Sequence, residues 1–252
     1  HLFIFFLTVQ AVFSNPNFEN MVLVEGGNFF PPFANQKIKA KVQSFFLDTY
    51  PVTNKDYQKF LKENPSWQKE NILPIYADSN YLAKLKDCGI FSSCNEDSPV
   101  TYVSWFSARA YCKWKGKRLP TVTEWEFAAT DSGTHTQKDN DKILEWYSKP
   151  NPKIFPKVGT VWKSKSGAYD LIGSVWEWVD DFNTASVTED SRSDSDLDRN
   201  LFCGGASLAL KDFKNYASYM RFAFRSGLKG RYTIANLGFR CALDVPIQKK
   251  IL

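Results

Sequence analysis

The sequence predicts one α+β domain that is rich in loops, with short strands and a few helices. Strand patterns and capped helix patterns alternate with irregular stretches, and no internal repeat or low-complexity linker divides the 252 residues. Aromatic residues make up 16% of the chain, which predicts a core of large flat side chains packed between loops. Because so much irregular chain must be fixed, we expect disulfides, metal ions or buried aromatic rings to hold the loops.

The chain opens with an uncharged apolar run, "HLFIFFLTVQAVFS", that ends at small residues. Val12 and Ser14 suit the positions before a signal-peptidase cut, so residues 1–14 are predicted to be a signal peptide without its basic start. Residues 15–252 would then be the domain, exported to the periplasm or secreted. The run is too short for a permanent membrane anchor. A buried first strand or helix is the alternative interpretation.

Two strands and three capped helices are predicted in the first half of the domain. "MVLVEGGNFF" and "KVQSFFLDTYPVT" are typical of strands. Thr53, Ser104 and Thr121 each precede a helical pattern. Gly116 predicts the end of the second helix. Residues 65–99 and everything after Thr130 are predicted to contain only loops and short strands.

Charge and histidine content exclude several classes of function. The net charge of +5 comes from scattered lysines, so we expect no nucleic-acid partner. Only His1 and His135 are present, which excludes a three-histidine iron or zinc centre within one chain. His135 lies in a polar segment that we expect to be a solvated loop. The chain has no P-loop, GxGxxG or GxSxG motif.

Five cysteines in an exported chain predict disulfides with one thiol left over. Cys88 and Cys94 bracket "CGIFSSC", a span that can close as a small loop, so we expect a Cys88–Cys94 disulfide. Cys112, Cys203 and Cys241 are widely separated in sequence. No CxxC pair is present, so a zinc knuckle is not expected.

The segment "YDLIGSVWEW", residues 169–178, has the residue types of a calcium site. Asp170 and Glu177 supply carboxylates, and a turn would direct the carbonyls of Gly173 and Val175 to the same point. The alternative is an Asx-turn at Asp170 followed by an amphipathic strand, with both tryptophan rings on one face and the glutamate on the other. Both interpretations stay open from the segment alone.

The order of several motifs resembles the sulfatase-modifying-factor family, whose founding member is the formylglycine-generating enzyme. These motifs, spread over residues 21–244, are "MVLVEGGNF", "FFLDTYPVTNKDYQKFL", "SPVTYVSWFSARAYCKWKGKRLPTVTEWEFAA", "GAYDLIGSVWEWVDD", "CGGAS", "RFAFRSG" and "ANLGFRCALD". The resemblance implies the loop-rich, C-type-lectin-like fold of that enzyme. It also implies a Cys112–Cys241 disulfide. The structural calcium ligands it implies are Asp170, Gly173, Val175 and Glu177.

The sequence departs from the family pattern at its reaction centre. Oxidising family members hold copper between two cysteines that follow the "GGS" motif. Here that segment, residues 208–220, reads "LALKDFKNYASYM" and contains no cysteine. Since a cuprous ion needs soft thiolate ligands, we expect no copper in this chain.

Three functions remain open from the sequence. The first is an accessory protein or pseudo-enzyme that binds an extended peptide or protein partner, in a groove lined by Ser207, Phe213, Tyr216 and Tyr219. The second is a divergent oxidoreductase or maturation enzyme acting on a peptide or siderophore precursor. Its candidate catalytic residues are Tyr216, Tyr219, Arg221 and Arg225, with Asp212 as a further acid–base group. The third is a structural or display role.

Overall fold

The computed structural model describes residues 18–30, 39–85, 95–131, 134–183 and 216–246. Several predicted features lie outside these ranges: the signal peptide, the Cys88–Cys94 pair, Cys203, and the groove residues Ser207 and Phe213. The strands in the described part are β1 (Met21–Val24), β2 (Gly27–Phe29), β3 (Ala40–Val42), β4 (Phe45–Asp48), β5 (Trp176–Trp178), β6 (Leu237–Phe239) and β7 (Ala242–Asp244). The helices are α1 (Asn54–Glu63), α2 (Trp105–Trp114), α3 (Val122–Ala129), α4 (Gln137–Ser148) and α5 (Tyr216–Ser226), with a 3₁₀ turn at Pro65–Trp67.

The strands form three small sheets, as expected for a loop-rich α+β domain. β4 lies between β1 and β7, and both pairings are antiparallel. A second antiparallel sheet joins β2 to β3, and β5 pairs with β6 in parallel. Strand β4 is apolar along its length because both of its faces are buried: Phe45 and Leu47 face the main core, whereas Phe46 packs with Phe18.

The three predicted capped helices are present. The Thr53 hydroxyl accepts a hydrogen bond from the Asp56 amide at the start of α1. Ser104 caps α2, and Thr121 caps α3 in a capping box with Glu124. Gly116, just beyond α2, has a φ of 68°, a left-handed conformation that glycine adopts without steric cost.

The prediction of loops and short strands alone after Thr130 was wrong, because α4 and α5 lie in that region. Thr136 and Asp139 form a capping box at the start of α4, a signal that the sequence contains. In α5 the buried face carries Arg221 and Arg225 beside Ala217. Since two of the buried residues are charged, the apolar periodicity that marks an amphipathic helix is hidden.

The disulfide that the resemblance implies is present. Cys112 of α2 is bonded to Cys241, which lies between β6 and β7, 129 residues away in sequence. Around it, Tyr111 and Phe239 pack edge to face, with ring centroids 5.3 Å apart. The bond and the rings therefore fasten α2 to the last strands of the domain.

Within the described residues, no helix is both long and apolar enough to cross a membrane.

Candidate functional site

Two consecutive residues of α3, Trp125 and Glu126, link the tryptophan strand β5 to helix α5. The Trp125 indole nitrogen donates a hydrogen bond to Glu177 of β5 at 2.7 Å. Glu126 accepts hydrogen bonds from Arg221 and Arg225 of α5. A single turn of α3 thus joins two buried ionic groups.

The first ionic group is Glu126 with its two arginines. Arg221 Nη2 lies 2.7 Å from Glu126 Oε2, and Arg225 Nη1 lies 2.6 Å from Oε1. The three side chains are only 2–7% exposed. Burial opposes ionisation of Glu126, but the two guanidinium groups outweigh it and hold the pKa of this carboxyl at about 2. Glu126 is therefore a carboxylate at neutral pH.

The second ionic group is Glu177 with Arg240, and both side chains are fully buried. Arg240 Nη2 lies 2.8 Å from Glu177 Oε1, and Arg240 Nε donates to both carboxylate oxygens. The remaining donors of Arg240 bind the carbonyls of Asp48 and Tyr169. Arg240 thus connects β5 to the loops around it, and its donors are taken.

These contacts do not fit the calcium site that the resemblance implies. The oxygens of Glu177 are held by Arg240 and by the Trp125 indole. The Asp170 carboxylate instead accepts hydrogen bonds from the backbone amides of Gly159, Val161 and Trp162. A calcium ion would have to displace a guanidinium and three amide donors. Across the described ranges, no three His, Cys, Asp or Glu side chains gather into a metal-binding group.

The strand around Glu177 also differs from a half-buried strand with two faces of opposite polarity. Trp176 is partly buried, whereas Glu177 and Trp178 are buried. The Trp176 ring is stacked with Phe224 of α5 at 4.5 Å and with Tyr147 of α4 at 5.1 Å. The strand is therefore not half-exposed, because helices cover Trp176 and the Glu177 carboxylate is buried against Arg240.

The comparisons with known proteins agree with this fold. A profile of the sulfatase-modifying factor enzyme 1-like domain matches residues 8–245. The chain belongs to this family. It is 30% identical over 249 residues to the inactive C-alpha-formylglycine-generating enzyme 2 of Bos taurus, covering 80% of this chain and 77% of that protein. It is 28% identical over 264 residues to the formylglycine-generating enzyme of Mus musculus, with 82% and 68% covered.

Another relative of this family member is longer. The serine/threonine-protein kinase Pkn1 of Chlamydia trachomatis serovar L2 is 30% identical over 264 residues, which cover 94% of this chain. The chain spans only 40% of the length of that protein. Among solved structures, PvdO from Pseudomonas aeruginosa matches with a TM-score of 0.47 at 15% identity, covering 89% of this chain and 94% of PvdO.

The candidate catalytic residues of this family member are not gathered around an open site. Arg221 and Arg225 are brought together, but both are buried against Glu126. Tyr216 stands at the first position of α5 and is 41% exposed, and Tyr219 lies in the same helix. Ser207 and Phe213 fall outside the described residues. Of the four residues predicted to line the groove, only Tyr216 and Tyr219 lie in the described part of the chain.

The sequence does not identify Glu126 or Arg240 as parts of a buried ionic group. Arg221 and Arg225 are four residues apart on α5, a spacing that places two cations on one helix face and calls for a carboxylate partner. Nothing local identifies Glu126 as that partner, 95 residues upstream. His135, expected in a solvated loop, has a side chain only 7% exposed, so that expectation was wrong.

Proposed function

We propose that this family member is an accessory protein or pseudo-enzyme that binds an extended peptide or protein segment. The observation that carries the proposal is the absence of cysteine from residues 208–220. The oxidising chemistry expected of the family needs a thiolate pair to hold copper, and no residue of this segment supplies a thiolate.

The burial of Arg221 and Arg225, and their ion pairs with Glu126, support the same proposal. Arg221 and Arg225 are both buried in the core and bound to the Glu126 carboxylate. Burial opposes the charge on Arg221, but the Glu126 carboxylate outweighs it and raises the pKa of Arg221 further above its ordinary value. A group that keeps its proton throughout the accessible pH range is no acid–base catalyst.

The similarity to an inactive formylglycine-generating enzyme supports an accessory role. The match to 40% of the length of Pkn1 supports the idea that such a domain also serves as one part of a larger protein. Export is part of this proposal, and the Cys112–Cys241 disulfide supports it because such bonds persist in oxidising compartments.

A direct test of the pseudo-enzyme proposal is aldehyde formation on a cysteine-containing peptide. The protein, copper and oxygen are incubated with the peptide, and a formylglycine-generating enzyme serves as positive control. We expect no aldehyde above the copper-only background and no oxygen uptake. Turnover of the peptide by this protein would overturn the proposal.

Peptide binding is tested separately by selecting from a displayed peptide library on the immobilised protein. We expect enriched sequences whose affinity falls roughly tenfold or more in a Tyr216→Ser variant. Ile154→Ser is the matched control, because it removes another exposed apolar side chain, 50% exposed, far from α5 in sequence. Failure to enrich any peptide, or an equal loss in both variants, would contradict a peptide-binding role at this helix.

A further inference from the structure

A cavity of about 770 Å³ opens beside β4, between the start of α1 and the end of α2. Its size falls within the range of small-molecule binding sites. None of its lining residues is one that the family resemblance assigns to copper, calcium or the peptide groove. The lining groups that matter here are Asp48, Tyr50, Asp56, Tyr111, Trp114 and Lys117.

A buried ion pair forms a rigid part of the cavity wall. Lys117 Nζ lies 2.6 Å from Asp48 Oδ1, and the two side chains are only 10% and 14% exposed. The other Asp48 oxygen accepts a hydrogen bond from the Cys241 amide at 2.9 Å. Because Cys241 is half of the disulfide, this wall is held by a covalent bond as well as by charge.

Tyr111 brings a hydroxyl group without a protein partner to this cavity. Its ring is stacked on Tyr57 and meets Phe60 edge to face, and the residue is only 4% exposed. Among the described residues, its hydroxyl has no hydrogen-bond partner. Asp48 and Asp56 line the same cavity as Tyr111. Burial raises the pKa of Tyr111, and the charges of Asp56 and Asp48 raise it further. Tyr111 lines the cavity, so its unpartnered hydroxyl is available to a bound group.

The charge and the aromatic rings of the cavity lining indicate which kind of ligand would bind beside the Tyr111 hydroxyl. Three carboxylates, those of Glu19, Asp48 and Asp56, line the cavity against the two ammonium groups of Lys115 and Lys117.

The ring of Trp114 already carries an ammonium, because Lys115 Nζ lies 4.5 Å from its centroid. The Trp114 ring, which already binds the ammonium of Lys115, therefore has the chemistry to bind a second cation.

We propose that this cavity binds an organic cation, an ammonium or a guanidinium group. The cation lies among the Tyr111 hydroxyl, the Asp56 carboxylate and the ring of Trp114. The hydroxyl oxygen accepts a hydrogen bond from the cation, and the carboxylates supply opposite charge. The cation is either that of a free amine or that of a lysine or arginine side chain on a partner. The proposal is independent of the peptide groove near α5.

The test is isothermal titration calorimetry of the full chain with three blocked amino acids. N-acetyl-lysine methylamide and N-acetyl-arginine methylamide carry the cation, and N-acetyl-norleucine methylamide is the neutral control of similar shape. We expect saturable binding of at least one cation, weakened by added salt, and none of the norleucine derivative. Equal binding of norleucine, or no saturable binding of either cation, would overturn the proposal.

Free 1,5-diaminopentane and methylguanidine identify the source of the cation. Binding of these amines alone supports a small-molecule ligand, and binding of only the blocked amino acids supports a side chain of a partner.

A Tyr111→Phe variant isolates the hydroxyl. Because that hydroxyl has no partner among the described residues, the variant should unfold at the temperature of the parent protein. Its affinity for the bound cation should fall about tenfold, the usual effect of losing a hydrogen bond to a charged group.

Tyr232→Phe, a partly buried tyrosine outside the cavity, is the matched control and should bind as the parent does. Asp56→Asn, which removes one lining charge, should also weaken binding. Unchanged affinity in both Tyr111→Phe and Asp56→Asn would overturn the proposal.

Discussion

Glu126 of α3 and Arg221 of α5 form an ion pair inside the core, 2.7 Å apart with side chains 3% and 2% exposed. Arg225 binds the same carboxylate, and its guanidinium lies 4.7 Å from the centre of the Trp125 ring. Helix α5 is therefore attached to the domain through charge as well as through apolar contacts. Such groups need not add net stability, but removing one partner leaves the others uncompensated.

Replacing Glu126 with Gln should destabilise the protein by about 3–5 kcal/mol, because two buried guanidinium groups lose their counter-charge. Urea unfolding measures the difference. Glu145→Gln is the control, since its pair with Lys149 is largely exposed and should contribute nothing measurable. A Glu126→Gln protein as stable as this control would contradict the buried triad.

The same carboxylate predicts how stability depends on acid. The pKa of Glu126 is lowered from 4.5 to about 2 in the folded protein. The unfolded state therefore takes up a proton first as the pH falls, so this contribution is complete above pH ~4.5 and is lost towards pH ~2. Unfolding free energies measured across this window should fall less steeply for Glu126→Gln than for the parent protein. Parallel pH curves would contradict the prediction.

The sequence predicts features that depend on neighbouring residues, such as helix caps, and does not predict side-chain pairs between residues that are far apart in the chain. The caps at Thr53, Ser104 and Thr121 act within one helical turn, so the helices that follow them were predicted correctly. Helix α5 was missed because its buried face is built from arginines whose partner lies on another helix. A sequence pattern shows that Glu177 is a candidate metal ligand but does not show that its oxygens are already taken.

The Cys112–Cys241 disulfide should contribute about 2–5 kcal/mol, the usual effect of a native disulfide. A Cys112→Ala/Cys241→Ala double variant avoids leaving a buried thiol and should unfold at correspondingly lower urea concentration. Digestion without reductant should release the two peptides as one linked species. Two separate peptides, or an unchanged urea midpoint, would contradict the bond or its importance.

Calcium should leave the melting temperature unchanged, because Glu177 is held by Arg240 and Asp170 by backbone amides. The comparison is thermal unfolding with excess calcium, with magnesium and with a chelator. A ligand that binds only the folded protein raises its melting temperature by mass action, so a calcium-specific rise would show that these contacts open for the ion. A Glu177→Gln variant shows whether any such rise comes from this site, since losing the carboxylate would abolish a rise that depends on calcium binding to Glu177.

His135 should make the protein less stable as the pH falls below about 6.5. Among the residues that the structure describes, neither ring nitrogen has a hydrogen-bond partner, and Asp131 Oδ2 lies 3.6 Å from Nε2. Burial lowers the pKa of His135; Asp131 and Asp139 oppose this shift, while Arg221 and Lys165 add to it. The unfolded chain therefore binds the proton first, so stability is full above the unfolded pKa and declines below it. Unfolding free energies at pH 7.5 and pH 5.5 should differ less in His135→Leu than in the parent, and an NMR titration giving a pKa above 6.5 would contradict the prediction.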